Sequence, residues 1–279
     1  MKIVALGNEA CVLANKLTEY PVYDILYLDE REDEGLPGTK IDVDPQLSPE
    51  QYEEHSVNVK EILKGEKEIT FIIMGGTYIS GMTLSLMEQV KNKILNVLYV
   101  QPDPVSLMDE TARKQDRVAF NVLQQFARSG LLSNMKIVSH QHVVQSVGNI
   151  PIIGYKGKLN EAIIFPFHMI NVYNNTKSLM GNMSYVFDTA RISTFGTFDY
   201  ETGNESLYFP LDNAREKRYY YGVPKKILEE DTELLTNIRK QLESKSEAGK
   251  VKVTYEIYET EYDEIYGYVE AFSSHIQSY

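Results

Sequence analysis

Read for its alternation of apolar and polar positions, the chain opens as strand, turn, helix and strand again. Lys2 to Leu6 is a short β-branched run ending at Gly7. Glu9 to Leu17 follows with Val12, Leu13 and Leu17 at helical spacing. Asp24 to Leu28 reads as a second strand that ends at Asp29. Ser48 to Lys64 reads as a helix, with Ser48 as N-cap, Pro49 in the first turn and Glu50 as an early acid. Strands at Ile69 to Ile73, Leu95 to Val100 and Met135 to Val138 then alternate with helices at Met82 to Lys91 and Asp109 to Ser129. This order predicts an α/β fold with a doubly wound, mostly parallel sheet. Leu159 to Asn174 is a central, joining helix, and Pro166 inside it predicts a kink.

The pattern changes near Lys177. Tyr185 to Val186 and Arg191 to Tyr200 read as extended, and Pro224 to Ser244 as one amphipathic helix. Val251, Val253, Tyr255 and Ile257 alternate with polar residues, as in a half-buried strand, and Tyr266 to Phe272 adds a neighbour. The chain therefore divides into a larger domain over residues 1–178, central helix included, and a smaller α+β domain over 179–279. Tyr219 to Tyr221 and Tyr255 to Tyr268 read as strands with amphipathic outer faces, a candidate assembly surface.

Composition narrows the partners. A net charge of −12 disfavours nonspecific nucleic-acid or anionic-lipid binding. No apolar run reaches the roughly 18 residues of a membrane span, and the first strand is too short for a signal peptide. Cys11 is the only cysteine, so no intrachain disulfide forms and a reducing, cytoplasmic setting fits.

Candidate chemistry falls at strand ends. Gly7 to Cys11 is a strand–glycine–helix turn able to present backbone N–H groups to an anion, although Glu9 opposes this electrostatically. Met74 to Met82 reads MGGTYISGM: Gly75 and Gly76 allow close backbone approach, while Thr77 and Ser80 serve either a ligand or the next helix cap. Asp109 and Arg113, one helical turn apart, suit a ribose hydroxyl and a phosphate or base, or else a surface ion pair. His140 and His142 fall on one side of a strand with no acid or cysteine cluster beside them, so no metal site is predicted. No catalytic residue can be assigned.

The order of these parts resembles the tubulin/FtsZ superfamily. The resemblance rests on Gly7, on Gly75-Gly76-Thr77, on Pro104-Val105-Ser106 with Asp109 and Arg113, and on Leu159 to Ile163 opening a long helix. It covers roughly residues 1–175. It implies a Rossmann-type nucleotide domain and a central helix leading to a smaller domain. It also implies GTP or GDP with Mg2+, and longitudinal self-assembly into filaments. Under it, Gly7, Asn8, Ala10 and Cys11 are the first phosphate loop, and Gly75, Gly76, Thr77 and Ser80 the second. Asp109 and Arg113 contact ribose and base, and Asn160 reads guanine. Met74, Tyr78 and Ile79 depart from that family's glycine-rich loop. Its loop between the second and third strands is missing unless Gly35 to Gly38 is a remnant, and Asn174 to Ser178 lacks the acids that activate water. Three readings stay open: a GTP-binding, filament-forming protein; a nucleotide-free scaffold with a structural or assembly role, for example in a virion; and a dinucleotide-binding Rossmann protein. The short length fits a compact phage or plasmid relative, acting in a bacterial or infected-host cytoplasm.

Overall fold

The computed structural model describes residues 1–30, 36–55, 57–103, 109–246 and 249–278. The first half forms β1 (Lys2–Leu6), α1 (Asn8–Asn15), β2 (Asp24–Asp29), β3 (Thr39–Asp42), α2 (Pro49–Glu54), β4 (Glu68–Met74), α3 (Thr83–Gln89), β5 (Ile94–Gln101), α4 (Glu110–Ser129), β6 (Asn134–Ser139), α5 (His140–Val147) and α6 (Tyr155–Asn174). The second half adds β7 (Met180–Gly181), β8 (Ile192–Phe198), β9 (Glu205–Leu207), β10 (Ala214–Pro224), α7 (Lys225–Glu230), α8 (Leu234–Glu243), β11 (Lys252–Thr260) and β12 (Tyr266–Ser273).

These strands make one sheet, in the order β3-β2-β1-β4-β5-β6-β8-β12-β10-β11-β7, with β9 attached to β8. From β3 to β6 every neighbouring pair is parallel. Successive side chains of a strand turn to opposite faces. Val4 and Leu6 thus join one core with Phe71, Tyr99 and Phe120, while Ile3 and Ala5 join another with Ile72, Leu98 and Ile163. The first core lies under α2, α3 and α4, the second under α1, α5 and α6. Burial on both faces is why these strands read as nearly unbroken apolar runs.

Past β6 the sheet continues through a short parallel pairing of Met135 with Ile192 and Lys136 with Ser193. Antiparallel β12 follows, then the parallel pair β10 and β11. A third core gathers Ile238 and Leu242 of α8 against Tyr219, Tyr221 and Val269.

Several expectations are corrected. The helix predicted over Ser48 to Lys64 stops at Glu54, because His55 turns extended at φ −72° and ψ 123°. Val57, Val59 and Leu63 still enter the first core, so their spacing marked burial rather than helix. The predicted cap does form: Ser48 Oγ accepts from Gln51 N at 3.4 Å. Pro224 to Ser244 is two helices, α7 and α8, parted where Asp231 leaves helical geometry at ψ 99° and accepts from Glu233 N at 2.9 Å. Tyr219 to Tyr221 are not an outer face. All three are buried on β10, Tyr220 toward the second core and its neighbours toward the third. His140 and His142 open α5 and do not lie on a strand. Helix α6 runs through Pro166 and starts earlier than predicted, at Tyr155. Gly35, of the suggested Gly35 to Gly38 remnant, and Pro104-Val105-Ser106 lie outside the described residues.

Candidate functional site

The strand order reverses direction between β1 and β4. In an open α/β sheet the crevice beyond the carboxyl ends at such a point is the usual ligand site. Gly7 ends β1 and Gly75-Gly76 ends β4, so both predicted loops stand at this crevice.

The first loop is tightly built. Gly7 caps α1 at φ +86° and ψ 162°, a conformation that needs glycine. Its N–H donates to Leu28 O at 2.8 Å, and its carbonyl accepts from Cys11 N at 2.9 Å. A methyl group added at Gly7 would meet Ile79 Cγ2 at 2.5 Å. The buried Ile79 side chain therefore sits on the glycine's open face. Asn8 Nδ2 donates to Asp29 Oδ2 at 3.4 Å. Ala10 and Cys11 turn into the second core, with Cys11 Sγ 3.7 Å from Ala5 O. Glu9 pairs with Lys156 of α6 at 2.6 Å.

The second loop is closed from behind. Gly75 N donates to Val100 O at 2.9 Å. A side chain at Gly75 would strike Tyr99 Oη, 2.6 Å away, and the carboxyl of Asp116. Asp116 is fully buried on α4 and accepts a hydrogen bond from Tyr99 Oη. Gly76 turns the chain at φ +74°. The hydroxyls serve the main chain: Thr77 Oγ1 donates to Met74 O at 3.0 Å, and Ser80 Oγ to Thr77 O at 2.6 Å. Ser80 Oγ also accepts from Gln115 Nε2 at 3.0 Å.

The remaining predicted residues lie around this pole. Asp109 is the N-cap of α4, accepting from Ala112 N at 2.8 Å. Arg113 lines a cleft of about 670 Å³ with Arg117, Gln141 and His142. Asn160 stands part-exposed in the second turn of α6. His140, which the sequence assigned no ligand role, stands at the carboxyl end of β6. Burial lowers its pKa, Glu9 and Asp103 oppose that, and its Nε2 has no hydrogen-bond partner.

At the opposite, amino-terminal edge of the sheet lies a charge cluster that no local pattern announced, because its members come from four strands. Lys136 pairs with Glu270, Arg218 Nε with Glu216 at 2.9 Å, and Lys252 with Glu216 at 3.0 Å. Tyr220 Oη donates to Glu270 at 2.6 Å. Burial alone would raise the Glu270 carboxyl, but Lys136, Tyr220 and Arg218 together hold it below the usual range. A cavity of about 660 Å³ opens beside it, lined by Asn96, Asn134, Asn171 and Phe167.

Three contacts count against phosphate binding at these atoms. Ile79 covers Gly7, Asp116 backs Gly75, and the loop hydroxyls are engaged. Among the described residues no cluster of His, Cys, Asp or Glu is placed to hold a metal ion, and no helix is long and apolar enough to cross a membrane.

The arrangement defines an α/β protein with a doubly wound, Rossmann-ordered sheet extended by a mixed one. No family model and no curated protein matches the sequence. Solved structures do. An empty FtsZ dimer from M. jannaschii is matched with TM-score 0.70 at 12% identity, covering 98% of this chain and 87% of that one. A GTPγS-form protofilament of Bacillus thuringiensis serovar israelensis TubZ gives TM-score 0.73 at 13% identity, covering 98% and 86%. CetZ from Methanosaeta thermophila gives 0.68 at 13% identity, covering 98% and 85%. The chain has the tubulin/FtsZ fold.

Proposed function

We propose that this chain is a self-assembling scaffold that stacks longitudinally into filaments, with its strand-end loops holding the fold rather than a nucleotide. Residues 1–178 and 179–279 are its two lobes, joined by the β6–β8 pairing. The observation that carries the nucleotide-free reading is Ile79 seated on Gly7. Support for self-assembly is the fold shared with proteins solved as protofilaments and filaments. Such a scaffold serves a structural or assembly role.

A GTP-binding, filament-forming protein is the second reading. It is favoured by the position of Gly7 and Gly75-Gly76 on either side of the β1/β4 crevice. On it, Gly7, Asn8, Ala10, Cys11, Gly75, Gly76, Thr77, Ser80, Asp109, Arg113 and Asn160 contact GTP or GDP, and Mg2+ accompanies the phosphates. A thermal-shift panel of GTP, GDP, ATP, NAD and NADP with millimolar Mg2+ separates the two. No saturable shift is expected. A saturable shift with GTP or GDP favours the second reading, and one with NAD a dinucleotide-binding protein.

A further inference from the structure

The charge cluster at the amino edge faces a cavity that neither strand-end loop touches. This cavity, of about 660 Å³, lies at the amino ends of β4, β5 and β6, beside the C-terminal half of α6. Small-molecule sites occupy roughly 300–1,000 Å³ and combine apolar walls with a few convergent polar groups. The walls here divide in that way. Val97, Phe167, Val172 and Phe272 supply an apolar side, and Lys136, Arg218 and Asn134 a side rich in donors.

The donors exceed the acceptors they serve. Glu216 and Glu270 are buried, and each of their carboxylate oxygens already holds a partner. Glu270 takes Lys136 on one oxygen and Tyr220 on the other, and Glu216 takes Arg218 Nε and Lys252. Lys136, Arg218 and Lys252 thus share two carboxylates, which leaves one positive charge in excess. Donor hydrogens are in excess too. Arg218 uses Nε on Glu216 and Nη2 on Ser184 O, so its Nη1 group has no partner among the described residues. Lys136 carries three donors and bonds Glu270 alone. Asn134 Oδ1 accepts from Ser193 Oγ at 2.8 Å, which leaves the Asn134 amide hydrogens unpaired.

Other carboxylates nearby do not cancel this charge. Glu68 stands at the far mouth of the cavity, exposed and bonded to Asn96 Nδ2 at 2.6 Å. It is two strands from Lys136 and four residues out of register with it, a separation of more than about 10 Å. That exceeds the screening length at physiological salt. Asp188 and Glu256 line the neighbouring cleft and not this cavity.

We propose that the cavity binds a small amphipathic carboxylate. Its charged end takes the spare donors of Arg218, Lys136 and Asn134, and its apolar body lies against Phe167, Val97, Val172 and Phe272. Bonds from guanidinium and ammonium to a carboxylate are stronger than neutral ones and select for that charge. The walls come from both lobes, so a bound acid holds their junction together and raises stability by mass action. The site lies at the opposite edge from the β1/β4 crevice, and it stands whether or not the chain binds nucleotide or forms filaments.

The test is isothermal titration calorimetry on the full chain with indole-3-acetate and decanoate. Each is compared with its neutral amide, and tryptamine serves as a cationic counterpart. At least one acid should bind saturably and raise the melting temperature, with its amide and tryptamine bound about tenfold or more weakly, the loss expected when a charged hydrogen bond is missing. Whichever acid binds more tightly identifies the body as aromatic or aliphatic. In Arg218→Met, where Lys252 still holds Glu216, the acid should fall about tenfold toward its amide while the amide is unchanged. Misfolding would lower both. Asn134→Leu should show the same split should Arg218→Met fail to fold. Val172→Trp fills the apolar side and should abolish binding of acid and amide alike. The proposal is overturned by a wild type that binds neither acid, or by an amide or tryptamine that binds as tightly as the acid. Acid binding unchanged in the variants would place the ligand elsewhere and overturn it equally.

Discussion

The two edges of the sheet treat polar groups in opposite ways. At the carboxyl edge, hydroxyls, an amide and paired glycines sit where a ligand loop would have them. There Thr77 and Ser80 donate to the loop's own carbonyls, Asn8 binds Asp29, and an isoleucine covers Gly7. At the amino edge, where two regions of sheet meet and an apolar core would suffice, buried carboxyls and cations from four strands form a network. A loop's residue types state what it is able to bind. Only its geometry says whether those groups are already engaged.

Breaking the amino edge should have the largest effect. Glu270→Ala strands Lys136 and leaves Tyr220 Oη without its carboxylate acceptor, and removing one partner of a buried pair costs about 3–5 kcal/mol. Urea denaturation is expected to show that loss. A cost below ~1 kcal/mol would mean water screens the cluster. Ile79→Ala comes next: emptying a buried isoleucine site costs about 2–5 kcal/mol, and the opened face of Gly7 is the place to look for gained GTP affinity. Gly7→Ala forces a side chain into a positive-φ position against Ile79, at about 1–3 kcal/mol. In the Ile79→Ala background that cost should shrink, and strict additivity in the double-mutant cycle would show the two residues uncoupled. Smallest is the pH effect at His140. Burial lowers its folded pKa below the unfolded value, so the unfolded chain takes the proton first. Stability is therefore full above the unfolded pKa of about 6.5 and declines as pH falls below it. The wild-type melting temperature should drop between about pH 7 and pH 5.5 and drop less in His140→Gln, although His168, lowered by burial in the same way, keeps some of the slope.

Much of the fold was legible because parallel strands buried on both faces are near-continuous apolar runs, as in Ile69 to Ile73. The edge strand β3 was not, since Thr39 to Asp42 is short, polar and half exposed. Strand β10 was legible only at Tyr219 to Tyr221 and there with an outer face, whereas those tyrosines are buried and Glu216 earlier in the strand is buried against Arg218 and Lys252. In the candidate site, sequence placed Gly7 and Gly75-Gly76 at strand ends correctly. It had no means to register Asp116, which enters the site from a helix some forty residues downstream. Ile79 was visible as a departure, but its contact with Gly7 exists only once β1 and β4 lie side by side.

The most direct test is a pelleting assay on wild-type chain stripped of nucleotide, with and without GTP and Mg2+. Equal polymer in the pellet under both conditions is the expected result. Polymer that forms only with GTP would contradict the nucleotide-free reading, because Ile79 would then have to leave its place on Gly7 to admit the phosphates.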